Sequence, residues 1–140
     1  MKIIAVGKIK KKYLLEGIEF YLKQISKLEI IEVKQSNTDK EGKDILLKIN
    51  SKDYVIALDI KGNKYDSESF SKKLEMLKLN SEDIVFLIGG SNGLSLEVKE
   101  RANELLSFSD FTFPHELFRL ILVEQIYRAE SIFLKKPYHK

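Results

Sequence analysis

The chain reads as an α/β domain, a mostly parallel sheet with helices on both faces. Three observations predict it. Short apolar runs alternate with stretches of helical periodicity from one end to the other. Two of those runs, residues 54–58 (YVIAL) and 84–88 (IVFLI), are continuously apolar, as in strands covered on both sides. Each is followed by a residue able to cap the next helix, Asp66 or Ser67 after the first and Ser95 after the second.

Taken in order, residues 2–7 (KIIAVG) form a short buried strand closed by Gly7. Between residues 13 and 28, Leu14, Ile18, Tyr21, Leu22, Ile25 and Leu28 recur at helical spacing, an amphipathic helix. Residues 29–33 (EIIEV) are short and β-branched, a second strand. Residues 34–40 are polar and read as a loop, and a brief helix follows with Ile45, Leu46 and Ile49 inward. After the strand at 54–58 comes a turn-rich loop around Gly62, then a helix with Phe70, Leu74 and Leu77 inside. The strand at 84–88 runs into GGSNGL, and the next helix carries Val98, Ala102, Leu105 and Leu106. Residues 108–113 (FSDFTF) read as a buried strand, turned sharply at Pro114-His115. From Leu117 onward one long helix is apolar nearly all round, which requires cover on several sides, from the core and from a second subunit.

Composition narrows the class. A chain of 140 residues fits a single domain over residues 1–140, and at that length about 68% of the unfolded surface can be buried. Hydrophobic content of 44% beside 32% charged residues is ordinary for a soluble protein. The absence of cysteine excludes disulfides, thiolate nucleophiles and cysteine-ligated metal. With only His115 and His139, no metal site is expected. The apolar run near the N-terminus is too short for a signal peptide and no run approaches a membrane span, so a cytoplasmic protein is expected. A net charge of +3 permits an RNA or phosphate partner without requiring one. Lysines cluster at Lys8, Lys10, Lys11 and Lys12, and again at Lys135, Lys136 and Lys140.

Ligands of such sheets bind beyond the carboxyl ends of the strands. Three segments leave those ends: after Leu58, after Ile88 and around residues 108–113. The Gly89-Gly90-Ser91-Asn92-Gly93 turn allows close backbone approach to a ligand, yet it lacks the spacing of a dinucleotide fingerprint and the Lys-Ser/Thr of a P-loop. A tight turn with no ligand explains it equally well. His115 reads first as a helix-start residue. Arg119 and Glu124 on an apolar helix are either a buried pair across an interface or functional groups. The tail KPYHK reads by default as frayed, although Tyr138 and His139 together offer a ring, a hydroxyl and an imidazole suited to a nucleobase.

Three blocks in order change that balance: ALDIKG (57–62), LIGGSNGL (87–94), and LSFSDFTFPHELFRLILVEQIYRA with a terminal PYHK. Together they resemble the RlmH family of SPOUT-class methyltransferases over essentially the whole chain. Two departures are the short connection over residues 33–41 and Glu130-Ser131, where an aromatic commonly follows Ala129. The resemblance implies a C-terminal trefoil knot, a homodimer, and S-adenosylmethionine bound by Leu58, Gly89, Phe108, Ser109, Asp110, Phe111, Thr112 and Phe113. It further implies methylation of N3 of a pseudouridine in 23S ribosomal RNA on assembled ribosomes. Direct displacement then needs alignment and loss of the N3 proton, and the candidate catalytic residues are His139, Tyr138 and Arg128, with the tail of a partner subunit completing the site. Two other readings remain: a catalytically silent RNA-binding or ribosome-binding dimer of the same fold, and a nucleotide-binding flavodoxin-like module.

Overall fold

The computed structural model describes residues 1–80 and 82–140. Its elements are β1 (Lys2–Val6), α1 (Lys12–Leu22), β2 (Glu29–Val33), α2 (Thr38–Leu46), β3 (Tyr54–Lys64), α3 (Ser67–Leu79), β4 (Ile84–Ile88), α4 (Leu96–Arg101), β5 (Glu104–Ser107) and α5 (His115–Phe133). The strands make one sheet in the order β2-β1-β4-β3-β5, and every neighbouring pair is parallel. Parallel strands have to be joined by crossovers, and the crossovers cover both faces. The period of two along β1 divides the core accordingly. Ile3 and Ala5 pack with α1, α3 and α5, whereas Ile4 and Val6 pack with α2 and α4. The expected α/β class with helices on both faces is what the chain adopts.

Helix caps follow the sequence. Asp66 accepts from the Ser69 backbone N–H at 2.7 Å while the Asp66 N–H reaches Ser69 Oγ, a reciprocal capping box at the head of α3. Ser95 accepts from the Val98 N–H at the head of α4, and Asn37 from the Lys40 N–H at the head of α2.

Several boundaries differ from the sequence reading. The loop read over residues 34–40 ends early, because Asn37 caps α2 and the helix begins at Thr38. The helix assigned to residues 13–28 ends at Leu22, because three-residue hydrogen bonds such as Gln24 N–H to the Tyr21 carbonyl tighten and stop it. Ile25 stays buried beyond the end, so the apolar period outlasts the helix. Leu105 and Leu106 belong to β5, since Asn103 captures the edge of β3: its side-chain carbonyl accepts from Val55 N–H and its own N–H reaches the Val55 carbonyl. Residues 108–113 are irregular: Phe111 is 80% exposed, and the Ser109 hydroxyl accepts from its N–H in a tight turn. Finally, residues 59–64 continue β3 instead of forming a free loop.

That last difference shapes the C-terminal half. Leu106 is paired with both Leu58 and Asn63, so the excursion of β3 closes over the end of β5. A Cβ on Gly62 would stand 2.5 Å from the carbonyl carbon of Leu105, so only glycine permits the approach. From β5 at the sheet edge the chain returns to place α5 against α1 and α3. Leu122, Val123, Ile126 and Ala129 are fully covered there. The path fits the knotted C-terminus that the resemblance implies.

At its far end α5 is fixed by Glu130. Its carboxylate accepts from Lys78 Nζ at 2.7 Å and from the Ser26 hydroxyl at 3.0 Å, joining α3, α5 and the turn before β2. Burial alone would raise this carboxyl, but Lys78 and the Ser26 donors outweigh it and hold it below its ordinary value of 4.5. A depressed carboxyl stabilises the fold above its unfolded value, and the contribution disappears as pH falls through the folded value. Glu130→Gln is therefore expected to cost about 1–3 kcal/mol at neutral pH, with the cost shrinking on acidification below 4.5. Denaturant unfolding at neutral and acid pH checks this, and an equal loss at both would contradict it.

Candidate active site

The carboxyl ends of β3, β4 and β5, with the start of α5, enclose a cleft of about 850 Å³. That is ample for a nucleoside-sized ligand, and its walls are largely apolar: Leu58, Ile88, Leu106, Phe108, Phe113 and Phe118. Phe108 and Phe118 pack with ring centroids 5.3 Å apart, and Phe113 stands 6.0 Å from Phe118, so the aromatic wall is held by α5. Every cofactor-contact candidate from the sequence lines this cleft except Asp110. Asp110 is exposed and its carboxylate pairs with Lys64.

The floor is the glycine turn. Gly93 N–H bonds to the Gly90 carbonyl at 3.0 Å, and Gly93 has φ +75°, a conformation other residues adopt reluctantly. A Cβ on Gly89 would meet the Gly93 carbonyl carbon at 2.6 Å. The turn thus closes on itself and leaves the backbone of Gly89, Gly90 and Gly93 open to the cleft, beside Ser91 and Leu94. On the rim, Asp59 and Lys99 form a pair at 2.9 Å. The backbone N–H of Lys61 first, and Lys99 after it, hold the Asp59 carboxyl below its ordinary range against a smaller desolvation effect. An apolar slot for adenine, bare backbone beside it and a zwitterionic rim for an amino-acid moiety fit S-adenosylmethionine.

The three catalytic candidates are brought together, but elsewhere. Arg128 donates to Glu124 through Nε at 3.0 Å and Nη2 at 2.6 Å, and its Nη1 lies 3.1 Å from Nδ1 of His139. The Tyr138 hydroxyl donates to Glu124 at 3.0 Å, its ring stands edge-on to Tyr127 at 4.6 Å, and the Arg128 guanidinium lies 4.8 Å above its centroid. Burial first, then the Tyr21 hydroxyl and Glu124, push the Tyr138 phenol above its ordinary value, so it stays a donor. The tail is therefore docked, not frayed. None of the three lines the cleft, and α5 alone separates Phe118 from Arg128 by about 15 Å.

Two residues matter more here than the sequence suggested. His115 lines the cleft; nothing in its spacing distinguished it from a helix-start residue. Glu124 is the acceptor that gathers Arg128 and Tyr138, which the i, i+4 spacing to Arg128 could have signalled. Arg119 and Glu124, weighed together in the sequence, have separate partners. Arg119 binds Glu32 at 2.6 Å and the Gly7 carbonyl at 3.1 Å.

A parallel sheet with an apolar cleft over a glycine turn is a setting for a nucleoside-bearing cofactor, and the comparisons make the class specific. The model for the family described as predicted SPOUT methyltransferase matches residues 1–139. The chain is 50% identical to the ribosomal RNA large subunit methyltransferase H of Streptococcus thermophilus, over all of this chain and 99% of that protein. It is 49% identical to the protein of the same name from Acholeplasma laidlawii and 46% to that from Leuconostoc mesenteroides, again covering all of this chain and 99% of each relative. The chain belongs to the SPOUT methyltransferases and, within them, to the family of ribosomal RNA large subunit methyltransferase H.

The glycine turn supplies a direct test of the cleft. Gly89→Ala should weaken S-adenosylmethionine binding at least about tenfold, since the added methyl has to displace backbone. Titration calorimetry on the folded variant checks it; unchanged affinity would place the cofactor elsewhere.

Proposed function

We propose that this chain is an S-adenosylmethionine-dependent methyltransferase that methylates N3 of a pseudouridine in 23S ribosomal RNA, acting as a homodimer on assembled ribosomes. The observation that carries this is the full-length identity of 46–50% to proteins named ribosomal RNA large subunit methyltransferase H. The cleft supports it. Leu58, Phe108 and Phe113 would sandwich the adenine, and Gly89 and the backbone of residues 109–112 would approach the rest of the cofactor. When bound, S-adenosylmethionine supplies a sulfonium-activated methyl group for direct displacement by the nucleobase nitrogen.

This chain's own residues then have three tasks. The cleft orients the reacting centre. Arg128 and the docked tail present a guanidinium and an imidazole to the base. Because those groups lie outside their own subunit's cleft, the second copy supplies them. The surface is suited to that. Tyr13 and Phe20 on α1 are 68% and 59% exposed, and Leu120 on α5 reaches α1 at Gly17. Leu117 and Leu120 remain only half-buried. A second α5 laid against this face would cover them and bring each Arg128 toward the opposite cleft.

Exposed Lys8, Lys10, Lys11 and Lys12 adjoin the cleft mouth, where the Lys10 N–H bonds to Glu116 in the first turn of α5. They would add salt-dependent attraction for the phosphate backbone. A dimer this small presents few further contacts, so a preformed ribosomal surface is the natural substrate. Methyl transfer from labelled S-adenosylmethionine to ribosomes from a strain lacking the protein is expected at a single pseudouridine, with free rRNA at most a poor acceptor. Label on another RNA, or none despite cofactor binding, would contradict the assignment.

A further inference from the structure

The tail poses a question of proton placement that the geometry answers. Arginine carries only donors and stays charged. Its Nη1 stands 3.1 Å from Nδ1 of His139, so that nitrogen accepts with its lone pair and the imidazole proton resides on Nε2. The opposite tautomer would set two N–H groups against each other. Nε2 faces the other way, 3.7 Å from the Glu68 carboxylate, where an N–H is the complementary group. Arg128 cannot rotate away at little cost, because Glu124 holds its Nε and Nη2 and Tyr138 lies beneath its plane.

We propose that Glu124 and Arg128 fix His139 in the Nε2–H tautomer, so that it serves the reaction as a hydrogen-bond donor to a nucleobase carbonyl and not as the base that removes the N3 proton. This rests on the methyltransferase reading above. A base has to offer a free lone pair to the proton it takes. The one lone pair on the neutral ring is engaged by Arg128, and the free side of the ring ends in N–H. The imide proton leaves to water, and the negative charge left on N3 spreads onto the two flanking carbonyl oxygens. An Nε2–H aimed at one of them stabilises that charge as it forms. N3 would then take the methyl group as the sulfonium's S–CH3 bond breaks, so the anionic and sulfonium charges cancel and S-adenosylhomocysteine leaves as a neutral thioether. Glu124 acts as a positioning residue, since it touches neither base nor cofactor.

The test has two parts on the full-length dimer. In nitrogen-15 NMR of the free protein at neutral pH, His139 should show a protonated Nε2 and an unprotonated Nδ1. Arg128→Met and Glu124→Ala should each turn this into a tautomer mixture without unfolding the chain. In turnover, His139→Gln keeps an N–H donor near the Nε2 position but cannot act as a base, whereas His139→Asn and His139→Ala lose that donor. The Gln variant should stay within about tenfold of wild type, and the Ala variant should lose about a hundredfold or more. A proton on Nδ1, or a Gln variant as inactive as the Ala variant, would overturn the proposal. Wild-type protein without methyl transfer would instead count against the functional reading, and the NMR result would still decide the tautomer.

Discussion

Arg119 sits 2% exposed in the first turns of α5 and ties that helix to the ends of β1 and β2 through the Gly7 carbonyl and Glu32. Much of the structure depends on this seating. Removing such a group would leave Glu32 and a buried carbonyl without their donor, a costly arrangement. With the start of α5 fixed there, Phe118 reaches the aromatic wall of the cleft and His115 reaches its rim. At the other end Glu130 fixes the helix to α3 and to the turn before β2. Between these anchors the inner side of the helix is apolar and fully covered, while Leu117, Leu120 and Ile121 are left half-covered.

One helix thus carries a wall of the candidate cofactor cleft on its first turns and the groups proposed to meet the nucleobase on its last ones. A rigid helix cannot bring its own two ends together. On the reading proposed above, a second, antiparallel copy would do so, turning the half-covered strip into an interface and making each site composite. The same geometry accounts for the shape of the tail. Tyr138 is held by Glu124, Tyr127, Tyr21 and Arg128, so it organises the Arg128–His139 pair. Polar groups so held need little reorganisation when charge develops nearby.

Much of the architecture was legible in the sequence because period and capping agree with tertiary context. The runs at β3 and β4, the caps at Asp66 and Ser95 and the break at Pro114 all act locally. What escaped was decided at a distance. Leu105 and Leu106 continue an apolar helical period and become a strand only because Asn103 is captured by β3. The extension of β3 through Gly62 depends on a strand more than forty residues later. The cleft was legible as three segments leaving the strand ends, and only Asp110 falls outside it, drawn away by Lys64. The role of Glu124 was harder to see, since a carboxylate among apolar residues shows its partners only once Tyr138 has folded back. The catalytic role proposed for the tail rests on family resemblance and not on spacing.

The composite site is the claim on which the mechanism turns, and subunit complementation tests it most directly. Gly89→Ala damages the cleft and Arg128→Ala damages the partner-facing cluster; each alone should be nearly inactive on ribosomes. Mixed and allowed to exchange subunits in equal amounts, half of the dimers would be hybrids, and each hybrid would hold one site with both an intact cleft and an intact Arg128. Activity should then return to about a quarter of wild type. If cleft and cluster served the same subunit, neither hybrid site would be whole and mixing would restore nothing. That result would contradict a site shared between two chains.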